Sequence, residues 1–251
     1  MYKLTKGRDV VSRIRLLILW GLGFSLLLLL IVRPAPKDLF VIGHWTMPLE
    51  EYTVVIDPGH GGVDGGAVGA DGTNEKDITL AVSKKIQHYL QHAGATVYLT
   101  REEDIDLADA DTKGFSRRKS EDIRKRLQFI DEQEADFFLT IHLNAMPSTV
   151  WRGAQTFYYP KFPESEQLAK MIQEEIIAHL QNTSRGVLPI RSIFLLKYAE
   201  IPGALVELGF LSNEKERELL KDEAYQEQMA SSIYEGILRY LTEDHEKTAE
   251  E

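Results

Sequence analysis

The sequence predicts one α/β domain of three layers, a twisted, mostly parallel mixed sheet between helices, preceded by an N-terminal transmembrane anchor. Three observations carry this. Strand-like and helix-like patterns alternate from about residue 52 to 242. The 251-residue chain is 43% apolar, enough to build one substantial core. Leu16 to Val32 form 17 uncharged residues behind Lys3, Lys6, Arg8, Arg13 and Arg15.

Taken in order, residues 1–37 are a basic segment and an apolar run at the short end of what spans a bilayer. No small-x-small cleavage pattern follows, so an uncleaved anchor is expected, with the basic end cytoplasmic and the remainder facing outward. Residues 38–51 are proline-containing and aperiodic, a linker. "YTVVID" is a strand. Ile78, Val82, Ile86 and Leu90 recur at helical spacing from Glu75 to His92, stopped by Gly94. "ATVYLT" is a second strand, and a helix that Ser120 could cap runs to Glu132. "DFFLTI" and "AQTFYY" are strands, and Ser165 to Gln181 a helix. "SIFLL" and "GALVEL" are short strand candidates. Helices over 213–220 and 222–241 close a domain spanning 52–242, and the charged tail 243–251 is expected to be disordered.

Composition narrows the chemistry. The chain has no cysteine, which removes disulfides, thiolate metal sites and cysteine nucleophiles, so any metal must be held by His, Asp and Glu. Seven Lys/Arg and one acid fall in 1–37, leaving 22 basic and 38 acidic residues outside the membrane, a net charge near −16. Nucleic acid is excluded as a partner for that surface.

Sites in open α/β sheets form outside the carboxyl ends of strands. His60 follows the first strand on the glycine-rich turn "DPGHGGVDGG", His142 ends "DFFLTI", Glu207 ends "GALVEL", and Glu75 begins the first domain helix. Two histidines and one glutamate match a catalytic zinc with an open water position, and a second glutamate remains as proton shuttle. Each has a plainer reading. His60 could simply be a turn residue, His142 a core histidine bonded to backbone, and Glu75 a first-turn acid favoured by the helix dipole. Glu207, between Val206 and Leu208, is costly to bury unless paired or functional. His88 and His92 stand four apart on a helix without the glutamate of a zinc motif, and read as solvated surface. The basic clusters Arg117–Lys119 and Arg124–Arg126 lie among acids and read as an exposed helix face.

Five strings in order, "VVIDPGHGGVDGGAVG", "NEKDITL", "LTR", "TIHLNA" and "VELGFLSN", resemble the zinc-dependent N-acetylmuramoyl-L-alanine amidases of the Amidase_3 family, and the likeness covers about 53–241. The resemblance implies zinc on His60, Glu75 and His142, with Glu207 as catalytic acid/base. It implies a peptidoglycan substrate, cut at the amide between the lactyl group of N-acetylmuramic acid and L-alanine. The loop "DLADADTKGFSRRKSEDIRKR" and the short anchor are most similar to members acting in spore cortex. There a separate deacetylase completes muramic δ-lactam for germination, and the location implied is the space around the forespore. The family commonly has "SIHANA", "VETGF" and an asparagine where this chain has "TIHLNA", "VELGF" and Asp131. Two rivals are a zinc exopeptidase on a related scaffold and a tethered, non-catalytic glycan-binding module.

Overall fold

The computed structural model describes residues 6–32 and 47–249, with side chains over 13–29 and 47–242. Two compact units separate between Thr46 and Met47. In the first, α1 (Lys6–Val32) is one 27-residue helix that starts ten residues before the apolar run. Among the described residues no helix is long and apolar enough to cross a membrane. The last three side chains of the expected span lie outside the described residues, as do residues 33–46 of the expected flank and linker.

The second unit is a six-stranded sheet between two helical layers. Its elements are β1 (Thr53–Pro58), α2 (Glu75–His92), β2 (Thr96–Leu99), α3 (Phe115–Glu132), β3 (Phe137–Asn144), β4 (Gln155–Tyr158), α4 (Pro163–Leu180), β5 (Leu188–Pro189), α5 (Phe194–Tyr198), β6 (Gly203–Phe210), α6 (Glu214–Lys221) and α7 (Glu223–Ala249). Strand order is β2-β1-β3-β6-β4-β5. Neighbours are parallel except β4 against β6.

Side chains alternate across each strand, which sorts the core into two layers. Val54, Ile56, Phe137, Leu139, Ile141 and Val206 pack with α2, α4 and α7. Val55, Phe138 and Leu205 pack with Ile130 of α3 and Leu195 and Leu196 of α5. Each fully buried Leu, Ile or Phe among them contributes about 1.5–3 kcal/mol. The chain runs from β1 through α2 to β2 on one side, then through α3 on the opposite face to β3 on the other side, so the strand order reverses between β1 and β3. That reversal opens the crevice where α/β proteins bind ligands.

Four expectations are corrected. "SIFLL" is not a strand: Phe194 to Tyr198 form α5, whose Leu195 and Leu196 fill the second core. A short apolar run fits either structure by pattern alone. Ser120 is no cap, because α3 starts at Phe115 behind Gly114, and the Ser120 hydroxyl donates to the Ser116 carbonyl. β3 runs three residues past Ile141, so His142 lies within the strand. The tail expected to be disordered continues α7 to Ala249. In addition, Leu49 is fully buried and its N–H bonds the Ala93 carbonyl, so the compact unit begins ahead of residue 52.

Candidate active site

The turn after β1 is shaped by what surrounds it. His60 sits at φ 61°, left-handed for a residue with a Cβ and strained unless its neighbours compel it. They do. The buried Arg126, 3% exposed, donates to the carbonyls of Pro58 (2.8 Å) and His60 (2.6 Å) and to Asp57 Oδ1 (2.8 Å). Arg101, 2% exposed, donates to the carbonyls of Pro58 and Gly59, both at 3.0 Å, and of Lys76 at 2.8 Å. Burial alone would raise the Asp57 carboxyl, but the Arg126 guanidinium and hydrogen bonds from Thr100 and Thr140 hold it below the usual range. The expected exposed face at Arg124–Arg126 is therefore corrected at Arg126, which points inward.

Glu75, the first residue of α2, is buried and shared. Its Oε1 lies 2.9 Å from His142 Nδ1 and accepts the Leu143 N–H at 2.8 Å. Its Oε2 lies 3.2 Å from His60 Nε2 and accepts the Ala67 N–H at 2.7 Å. The two imidazoles stand edge to face with centroids 5.0 Å apart. One ligand atom from each of His60, Glu75 and His142 lies within 4.8 Å of the others, so the three could hold a metal ion.

The glycines of the turn make room for this. A Cβ on Gly59 would fall 2.5 Å from the His142 ring, and one on Gly66 (φ 70°) 2.6 Å from Glu75 Oε2. Asp64, four residues after His60, places Oδ2 2.9 Å from His60 Nδ1. With the Nδ1 proton held by Asp64, Nε2 would face a cation once it gives up its proton and its hydrogen bond to Glu75, the arrangement by which a carboxylate orients a ligating imidazole. Burial disfavours charge on His60, but the hydrogen bonds to Asp64 and Glu75 outweigh it and raise the imidazole to about 9. Asp64 and Glu75 are held well below the usual carboxylate range despite burial, chiefly by bonds to the same histidines. Lys119 Nζ also lies 2.8 Å from Asp64 Oδ2. Two imidazoles and a buried carboxylate are a donor set that fits a divalent cation.

Glu207 completes the group. It lies opposite His142 in the β3–β6 register, so both face the α3/α5 side of the sheet. Burial, helped by nearby Glu75 and opposed by His142, pushes its carboxyl up to about 7. Oε2 is buried without a hydrogen-bond partner. All four residues singled out in the sequence thus come together at one strand edge.

A family model described as N-acetylmuramoyl-L-alanine amidase matches residues 54–239. The chain belongs to the N-acetylmuramoyl-L-alanine amidase family. This amidase is 52% identical over 199 residues to the germination-specific N-acetylmuramoyl-L-alanine amidase of Bacillus subtilis (strain 168), covering 79% of this chain and 84% of that one. Among solved structures it is similar to the CwlD amidase from Clostridioides difficile, solved in complex with the GerS lipoprotein. That pair has a TM-score of 0.75 and 43% identity, over 76% of this chain and 98% of that one. A second N-acetylmuramoyl-L-alanine amidase, from Clostridium difficile 630, gives a TM-score of 0.68 at 30% identity, over 77% and 98%.

Sequence reasoning missed three residues of the candidate site, Asp64, Arg101 and Arg126. Asp64 had a local signal, an acid four residues after a turn histidine; the arginines had none, being far from the turn in sequence. At Asp131, where the family commonly has asparagine, Oδ1 accepts the Glu200 N–H at 3.1 Å. His88 and His92 are exposed on α2, rings 4.0 Å apart, away from the cluster.

Proposed function

We propose that the enzyme hydrolyses the amide joining the lactyl group of N-acetylmuramic acid to L-alanine in peptidoglycan, with zinc on His60, Glu75 and His142 and Glu207 as acid/base. The observation that carries this is the unpartnered Glu207 carboxyl beside a buried His–Glu–His set. Lewis-acid activation of water and of the scissile carbonyl is the chemistry such an ion supplies when bound. Asp64 holds the proton on His60 Nδ1, and Glu75 anchors to two backbone amides, so the donor atoms are aimed before anything binds. Glu207, with its carboxyl near 7, takes a proton from the attacking water and returns it to the leaving alanine nitrogen near neutral pH.

The similarity to the germination-specific enzyme of B. subtilis supports a role in spore cortex, where stem-peptide removal precedes the action of a separate deacetylase and formation of muramic δ-lactam. The exposed apolar side chains along α1, from Leu16 to Leu29, support a membrane tether outside the cytoplasmic face.

Mass spectrometry of purified peptidoglycan incubated with the zinc-replete or the chelated protein tests the reaction. Stem peptides with a free L-alanine amine, beside unsubstituted muramic acid and only in the zinc-replete sample, are expected. Shortened stems still attached to glycan would make it an exopeptidase, and binding without cleavage would make it a tethered module.

A further inference from the structure

The strand order gives the substrate a direction. The residues that would hold the cation come from the turn after β1, from α2 and from β3, and Glu207 stands one strand further on β6, with β4 beyond it. If Glu207 serves the leaving nitrogen, the bond from carbonyl carbon to nitrogen points from the cation ligands toward β6. The stem peptide then continues over β4.

Two side chains wait there. Gln155 of β4 lies opposite Glu207 in register, on the same face, and its Nε2 donates to the Gly186 carbonyl at 3.0 Å. The neighbouring Arg185 is half-buried and held on three sides. Its guanidinium lies 5.0 Å from the Phe210 ring centre and 5.7 Å from that of Trp151, and it donates to the Gly153 carbonyl at 3.3 Å. Glu216, itself buried, fixes the same floor by accepting the N–H groups of Gly153 (2.6 Å) and Phe210 (2.9 Å). Among the described residues Arg185 makes no salt bridge with a carboxylate; the buried Glu216, whose carboxyl feels its charge, is engaged by the Gly153 and Phe210 N–H groups. A guanidinium stacked on aromatic rings keeps its fork free for a planar anion.

We propose that Arg185 is a specificity-determining residue that binds a free carboxylate of the stem peptide on the leaving side of the scissile amide. This rests on the assignment of Glu207 to the leaving nitrogen. The lengths agree. The residue after L-alanine in a stem is a γ-linked D-glutamate whose α-carboxylate lies roughly 7 Å from the alanine nitrogen, about two residues of chain. Arg185 contacts Phe210, three residues past Glu207 on β6, and Gly153, two residues ahead of Gln155, which places it roughly 7–10 Å from Glu207 along the strands.

The test uses the zinc-loaded full chain and two synthetic N-acetylmuramoyl-L-alanyl-γ-D-glutamyl peptides, with the α-carboxylate free or amidated. The wild type is expected to cleave the free acid with kcat/KM about tenfold higher than the amide. Arg185→Gln is expected to lose that preference through KM, with little change on the amidated peptide, and Arg185→Lys to restore part of it. Equal cleavage of both peptides by the wild type overturns the inference without any variant. So does an Arg185→Gln loss of the same size on both, which a structural role would give. Cleavage of neither peptide by the wild type would overturn the active-site reading, and this inference with it.

Discussion

Glu207 and His142 stand opposite each other in register on neighbouring parallel strands, and the Glu207 Oε2 is buried with no hydrogen-bond partner. A carboxyl kept this way has no evident structural duty. Glu207→Gln should therefore fold normally and keep stoichiometric zinc while losing about 10²–10⁴-fold in kcat. Metal content by mass spectrometry, beside stem-peptide release, checks it; retained activity would remove Glu207 from the proton path. His142→Ala should lose zinc and activity together.

Asp64 touches no expected substrate atom, yet its carboxylate sets the tautomer of His60. Asp64→Ala is expected to weaken zinc affinity about 10–100-fold with an unchanged melting temperature for the apoprotein. Activity should return as zinc is added. A loss that zinc does not repair would mean that Asp64 acts on something other than ligand orientation.

At Gly59 the prediction is steric. A Cβ there meets the His142 ring at 2.5 Å, so Gly59→Ala must displace the imidazole or the turn. The strain should cost about 1–3 kcal/mol in stability, and activity should fall by at least about tenfold. Thermal melts and turnover separate the two effects, and wild-type turnover in the variant would contradict the geometry.

The Asp57–Arg126 pair predicts a pH dependence of stability. Asp57 has a folded-state pKa below its unfolded one, so its contribution is complete above about pH 4 and fades as pH falls through the lowered value. Asp57→Asn leaves a buried guanidinium half-paired and should cost about 3–5 kcal/mol at pH 7. The gap from wild type should narrow below about pH 4. Denaturant melts across pH 3–7 check this; a gap independent of pH would assign the loss to packing.

What could be read from sequence follows from how local each signal is. α2 has the limits its apolar spacing and Gly94 imply, because an amphipathic stripe of that length admits one reading. "SIFLL" failed because so short an apolar run fits a strand or a turn of helix equally well, and α5 is decided by the burial of Leu195 and Leu196 in the same core layer as Phe138. His60, Glu75, His142 and Glu207 were visible because strand ends collect chemistry by topology. Arg126 was not, because a cation on a charged helix looks the same whether it faces water or the carbonyl of His60, 66 residues away. The proton-orienting role of Asp64 likewise needs the left-handed turn that folds it back onto His60.

The order of ligands along the chain has a consequence for how such an enzyme can diversify. His60, Glu75 and His142, with the arginines that brace the turn, all precede residue 143, whereas Gln155, Arg185 and the aromatic pair around Arg185 follow residue 150. The halves meet along the β3–β6 seam, where the backbone pairing of His142 with Glu207 needs no side chain from either loop. On the proposed assignments, grafting the loops between β3 and β4 and between α4 and α5 from one relative onto another would exchange stem-peptide selectivity while His60, Glu75, His142 and Glu207 stay in place, making selectivity a heritable module separable from chemistry.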